Sequence, residues 1–179
     1  MYQGSSQDEG RNRQALPFDV TKLDAVVISH THLDHCGRIP LLVSRGFTGE
    51  IITTAASREL ARLIMLDAAG LQEEEARYLN RRARKRNKSS DIIVPLYTTL
   101  DALNALEYFG RTAGYSQPLN LSPEIQVTFI DAGHILGSAC ILLQVQEESE
   151  QRRILFSGDL GLGGRPILRD PDTPPVADV

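Results

Sequence analysis

Between Ser29 and Gly37 the chain reads SHTHLDHCG, which places three of its four histidines and an aspartate within six residues. Imidazole nitrogen and carboxylate oxygen are suitable ligands for zinc, with manganese or iron also open. Residues two apart on an extended segment point the same way, so His30 and His32 can grip one ion together. Asp34 and His35 come next, where the chain turns into a helix. They face another direction and could hold a second ion nearby. A lone His–x–His is often a surface or core accident; the density of HxHxDH is what favours metal. One tight cluster cannot close two coordination spheres, so further ligands must come from elsewhere in the chain. His134, in DAGHILGSA, and Asp159, in FSGDLG, each follow a strand-like run directly. Each is flanked by glycines of the kind sharp turns require, Gly133 and Gly137 around one, Gly158 and Gly161 around the other. Asp131 and Ser157 adjoin these residues and are candidates to orient them by hydrogen bonds. Cys36 is soft enough to bind zinc, but the set already supplies suitable ligands without it and it reads as structural. Cys140 lies in an apolar strand and reads as core.

The elements around these residues decide whether they can meet. Asp24 to His30 is a short β-branched run, a buried strand ending at the cluster. GRIPLLVSRG is a short helix stopping at Gly46, and GEIITT a second strand. A helical pattern runs from Ser57 to Lys88, with Leu60, Leu63, Ile64, Ala68 and Leu71 as its apolar face. Thr98 to Gly110 is a further helix, with Thr98 as cap and Asp101 three residues on. EIQVTFI, ACILLQVQ and RRILFSG are strands, the last two joined by a polar turn. VADV, at 176–179, resembles the opening of another strand. Mixed helices and strands argue an α/β layered fold.

The bulk composition sets outer bounds. The 179 residues are 41% hydrophobic and 23% charged, enough apolar matter for one sizeable core. A net charge of −4 means that any nucleic-acid contact must come from a local patch. Two cysteines are too few for a disulfide framework and suit a reducing compartment. The polar N-terminal stretch lacks the apolar segment of a secretory signal, and no run suits a membrane span. Together these suggest a cytoplasmic protein with no membrane partner.

HTHLDH resembles the HxHxDH signature of the metallo-β-lactamase fold, an αββα sandwich of which this chain would be a part. DAGHILGSA, the helical insert between residues 57 and 110, and ILFSGDLG followed by GRPILRDP are similar to the β-CASP nuclease branch, whose members include RNA-processing enzymes and the mRNA 3′-end endonuclease. The resemblance covers nearly the whole chain. It implies two zinc ions, His30, His32 and His134 holding one, Asp34 and His35 the other, and Asp159 bridging both. It implies phosphodiester hydrolysis of RNA, with Asp34 and Asp159 closest to the chemistry; DNA remains open as a substrate. Members of this branch begin with additional strands and continue into a β-CASP cap that supplies further histidines. On that comparison, residues 1–179 are an incomplete lactamase-like domain, and a cap is expected after 179. An edge left by absent strands could drive homo-oligomerisation.

RRARKRNK carries six cations in eight residues: Arg81, Arg82, Arg84, Lys85, Arg86 and Lys88. They could contact RNA phosphates. The plainer reading is a solvated helix end, supported by pairs such as Glu73 with Arg77, and no aromatic residue interrupts the run to stack on a base. Two other functions stand beside RNA hydrolysis. One is a small-molecule hydrolase on the same fold, thioesterase- or lactamase-like. The other is an inactive fragment or partner subunit that binds metal or RNA without cutting.

Overall fold

The computed structural model describes residues 1–2, 10–86, 92–148 and 150–179. The chain divides into two compact units. One comprises Ala25–Thr31, Glu50–Leu60 and Phe109–Val179 and contains both sheets. Strands β1 (Ala25–Val27), β2 (Glu50–Thr54) and β3 (Phe109–Ala113) form a parallel sheet in that order. Strands β4 (Leu119–Asn120), β5 (Ile125–Asp131), β6 (Ala139–Glu147) and β7 (Glu150–Phe156) form an antiparallel one. Ile52 and Ala113 of the first sheet share a core with Val127, Phe129, Ala139 and Ile141 of the second. The strict alternation along β5 explains this: Val127 and Phe129 face that core, while Ile130 faces a second cluster with Ala132, Cys140 and Leu142. Cys140 is therefore core, as its apolar setting implies. Beside β7, the Val179 amide donates to Arg153 O at 3.3 Å and the Leu155 amide to Val179 O at 2.8 Å. These two bonds have the parallel pattern, but residues 176–179 form no strand, so the strand that VADV suggests is present only as this single pairing.

The other unit comprises Met1–Asp24, His32–Gly49 and Ala61–Tyr108. It contains the short helices α1 (Leu33–Cys36) and α2 (Ile39–Ser44), all but the first residues of α3 (Ala55–Lys85), and α4 (Thr99–Leu106). Helix α4 packs on α2. Its start follows the expected capping: the Thr98 hydroxyl accepts from the Asp101 amide, and the Asp101 carboxylate accepts from the Thr98 amide. Among the described residues, the backbone arriving at α4 pairs with no strand. Side chains of α3 satisfy it instead, with Ile93, Leu96 and Thr99 amides donating to Asn80, Gln72 and Glu73. Among the described residues no helix is long and apolar enough to cross a membrane.

Three sequence expectations need correction. Helix α3 starts at Ala55 rather than Ser57, because Thr54, the last residue of β2, accepts the Ser57 amide and leaves no loop between strand and helix. It ends at Lys85, with Arg86 in a turn, short of the expected Lys88, which itself lies outside the described residues. The buried face of α3 is Ala61, Met65, Ala68, Ala69 and Ala76, whereas Leu63 and Leu71 are 64% and 60% exposed. Both stripes have helical spacing. The small side chains let the helix backbone approach its neighbours closely, which leaves the leucines outside. Helix α4 ends at Leu106, and the residues read as its last turn begin β3.

Candidate metal centre

The centre is built where strands end. Ile28, just past β1, still donates to Ile52 O at 3.0 Å, so the chain leaves the sheet only at Ser29. His30 follows, fully buried. His134 stands in the loop joining β5 to β6, and Asp159 in the loop after β7. The ring Nε2 atoms of His30 and His134 lie 3.6 Å and 3.4 Å from Asp159 Oδ2. The two imidazoles meet edge to face, with centroids 5.1 Å apart. One ligand atom each from His30, His32, His134 and Asp159 lies within 4.8 Å of the others.

These distances test the fit of an ion. Four ligands at the usual zinc distances of about 2.0–2.2 Å in a tetrahedron stand about 3.3–3.6 Å apart. The two Nε2–Oδ2 separations fall in that range. The donor set, three imidazoles and a carboxylate, also suits zinc. His30, His32, His134 and Asp159 would hold one ion. Asp34 and His35 are not part of that group. They stand as a neighbouring pair, Nε2 to Oδ2 3.6 Å, and are more exposed than His30.

Hydrogen bonds fix the ligands. His30 Nδ1 lies 3.2 Å from Ser29 Oγ. With Nε2 as the ligand atom, Nδ1 carries the proton and donates to that hydroxyl, which sets the tautomer. The His134 loop is held from within by Ser138, whose Oγ accepts the amides of His134 and Ile135. Its carbonyl accepts the Tyr115 hydroxyl at 3.0 Å. Burial pushes that hydroxyl up to about 12, Asp131 and Asp172 add to the effect and Arg169 opposes it, so Tyr115 stays a donor at neutral pH. The Gly137 carbonyl accepts from both Thr54 Oγ1 and Ser57 Oγ, at 2.7 and 2.9 Å. The Asp159 loop is pinned against this one. The Gly161 amide donates to Ala132 O at 2.8 Å, and a Cβ at Gly161 would overlap the Gly133 carbonyl.

The sequence singled out Asp131 and Ser157 for orienting roles. Asp131 Oδ1 accepts the Gly133 amide, shaping the loop rather than touching an imidazole. The Ser157 hydroxyl donates to Gly158 O. Ser29, Ser138, Tyr115, Thr54 and Ser57 also hold the histidine-bearing segments, and of these only Ser29 adjoins a histidine in sequence. Burial raises the Cys36 thiol to about 11, in keeping with a structural residue.

Residues 4–178 match the model of the Metallo-beta-lactamase superfamily. Ribonuclease TTHA0252 of Thermus thermophilus is 32% identical over 179 residues, which are all of this chain and 35% of that protein. Transcription termination factor FttA of Methanothermobacter thermautotrophicus is 33% identical over 142 residues, covering 79% of this chain and 19% of its own length. The solved structure of BJP-1, a subclass B3 metallo-beta-lactamase of Bradyrhizobium japonicum, overlays with a TM-score of 0.44 and 18% identity, over 78% of this chain and 42% of that one. Since the family match takes in nearly every residue from Gly4 onward, the chain belongs to the metallo-beta-lactamase superfamily.

Proposed function

We propose that this chain is the metal-holding part of a β-CASP-type RNA phosphodiesterase, and that a longer parent with a cap domain is its complete form. The observation that carries the reading is the convergence of His30, His32, His134 and Asp159, one ligand atom of each within 4.8 Å of the others, with His30 and His134 both at tetrahedral-zinc spacing from Asp159. The ribonuclease name of one relative and the transcription-termination name of another support RNA as the substrate. Two zinc ions are part of the proposal, the second at Asp34 and His35 with Asp159 shared. Bound metal supplies Lewis acidity to a scissile phosphate and draws the ionisation of water down towards about pH 7.

The chain's own residues do the rest. His30, buried and held by Ser29, and His134, held through its loop by Ser138, present Nε2 without needing to reorganise. Asp159 is 44% exposed and faces both rings, so it stands between the ligand set and solvent. Asp34, in the first turn of α1 and exposed, would also orient the attacking hydroxide.

The test is elemental analysis of the chain purified without added metal, together with cleavage of single-stranded RNA. Two ions per chain and RNA cleavage, both lost in Asp159→Asn, are the expected results. One ion would remove the second site from the proposal. Hydrolysis of nitrocefin or a thioester in place of RNA would overturn the substrate class.

A further inference from the structure

Helix α3 turns outward a face that packing does not use. Leu71 and Tyr78 lie on it, Tyr78 54% exposed, in a shallow groove lined also by Glu74, Glu75, Arg77 and Arg81. Arg81, Arg82, Arg84, Lys85 and Arg86 follow, all exposed. Lys88, grouped with them in the sequence, lies outside the described residues. Among the described residues none of these five cations, nor Arg77, takes part in an ion pair. Glu73, the expected partner of Arg77, accepts instead from the amide and hydroxyl of Thr99. Arg77 with Arg81, and Arg81 with Lys85, are like charges four residues apart, an arrangement that weakens a helix. The dipole at a helix C-terminus accommodates a cation or two, not a cluster of this density. In a chain of net charge −4 the cluster is a local feature, and its complement is a polyanion.

Tyr78 identifies the polyanion. It precedes Arg81 and Arg82 by three and four residues, so ring and guanidinium groups share one side of the helix. A flat ring beside phosphate-binding cations is the equipment for stacking a base while holding its backbone. An anionic lipid surface would meet Glu74 and Glu75 along with Tyr78, with nothing for the ring to stack on. The same carboxylates bound the patch on the N-terminal side. From Tyr78 to Arg86 it measures about 12 Å at 1.5 Å per residue, the length of about three stacked nucleotides at 3.4 Å each.

We propose that the Tyr78–Arg86 end of α3 binds single-stranded RNA, Tyr78 stacking on a base while Arg81, Arg82, Arg84, Lys85 and Arg86 take the phosphates. The identity of the ligand rests on the RNA reading above; the surface itself does not involve the metal ligands. The test uses the whole chain stripped of metal with EDTA, and fluorescence anisotropy of a short labelled single-stranded RNA. Tyr78→Ala is expected to weaken binding about tenfold, with Tyr78→Phe close to wild type. Replacing Arg81, Arg82 and Arg84 by Ala is expected to flatten the dependence of log affinity on log salt by about 0.7 per cation. Circular dichroism of each variant should superimpose on wild type. Binding indifferent to Tyr78→Ala, or tighter to phosphatidylserine vesicles than to RNA, overturns the inference. Because the protein is metal-free, such a failure leaves the cleavage proposal standing. RNA bound here but not cut when zinc is restored keeps this inference and assigns cutting to the longer, cap-bearing parent alone.

Discussion

The Ser29 hydroxyl is a small group on which the metal centre leans. It meets His30 Nδ1 at 3.2 Å, while Nε2 of the same ring faces Asp159. Removing it in Ser29→Ala leaves the ligand set complete but the ring less well held. Partners of this kind change metal affinity by about 10–100-fold when lost. We expect zinc affinity, measured by competition with a chromophoric chelator, to fall by about tenfold while the melting temperature of metal-free protein stays near wild type. An unchanged affinity would mean that the Ser29 hydroxyl is not what orients His30. At this scale the residues that converge were legible and the hydrogen bonds around them were not. Histidine has few uses that crowd it, so HxHxDH announced itself. Serine, threonine and tyrosine serve everywhere, and Ser138, Thr54, Ser57 and Tyr115 act on the loop through main-chain carbonyls and amides. Only the folded chain shows which carbonyl each one meets.

The elements show a similar division. Strands β5 and β6 and the cap of α4 could be read directly, because alternation and a Thr98–Asp101 box are local signals. Strand β3 could not. Its sequence FGRTA buries only Phe109 and Ala113, and it exists because β2 pairs with it. Arg111, in the middle of β3, holds Glu50 of β2 through its amide and guanidinium, with Nη2 2.8 Å from Oε2. Those hydrogen bonds keep the Glu50 carboxyl below the usual carboxylate range. A carboxylate lowered in this way stabilises the fold above its unfolded pKa, and that contribution is lost as pH falls through the folded value. Thermal melts of wild type and Glu50→Gln should therefore differ at neutral pH and converge below about pH 4. A gap that persists in acid would show that packing, not charge, joins the two strands. The buried face of α3 is the other lesson. Leucines and alanines both recur at helical spacing, and the alanine stripe is inside because small residues permit close approach.

For the molecule as a whole, metal should act as a folding ligand. An ion held only by the native state adds about 2.7 kcal/mol when present at 100 times its dissociation constant. Calorimetry with graded zinc should raise the melting temperature of wild type progressively. It should leave Asp159→Asn nearly unmoved. A wild-type transition insensitive to zinc would mean that the ligands do not close on an ion in solution. The distribution of those ligands along the chain has a separate consequence. His30, His134 and Asp159 come from distant stretches, with about 100 residues between the first two and about 25 between the last two. An ion joining them is a cross-link as well as a reagent. It ties off a long loop and a short one, and the freedom withdrawn from the unfolded chain grows only slowly with loop length. Insertions in the intervening helices would scarcely lengthen the odds against closure. The stretch from His30 to His134 can thus vary in size between proteins while the same few atoms still meet.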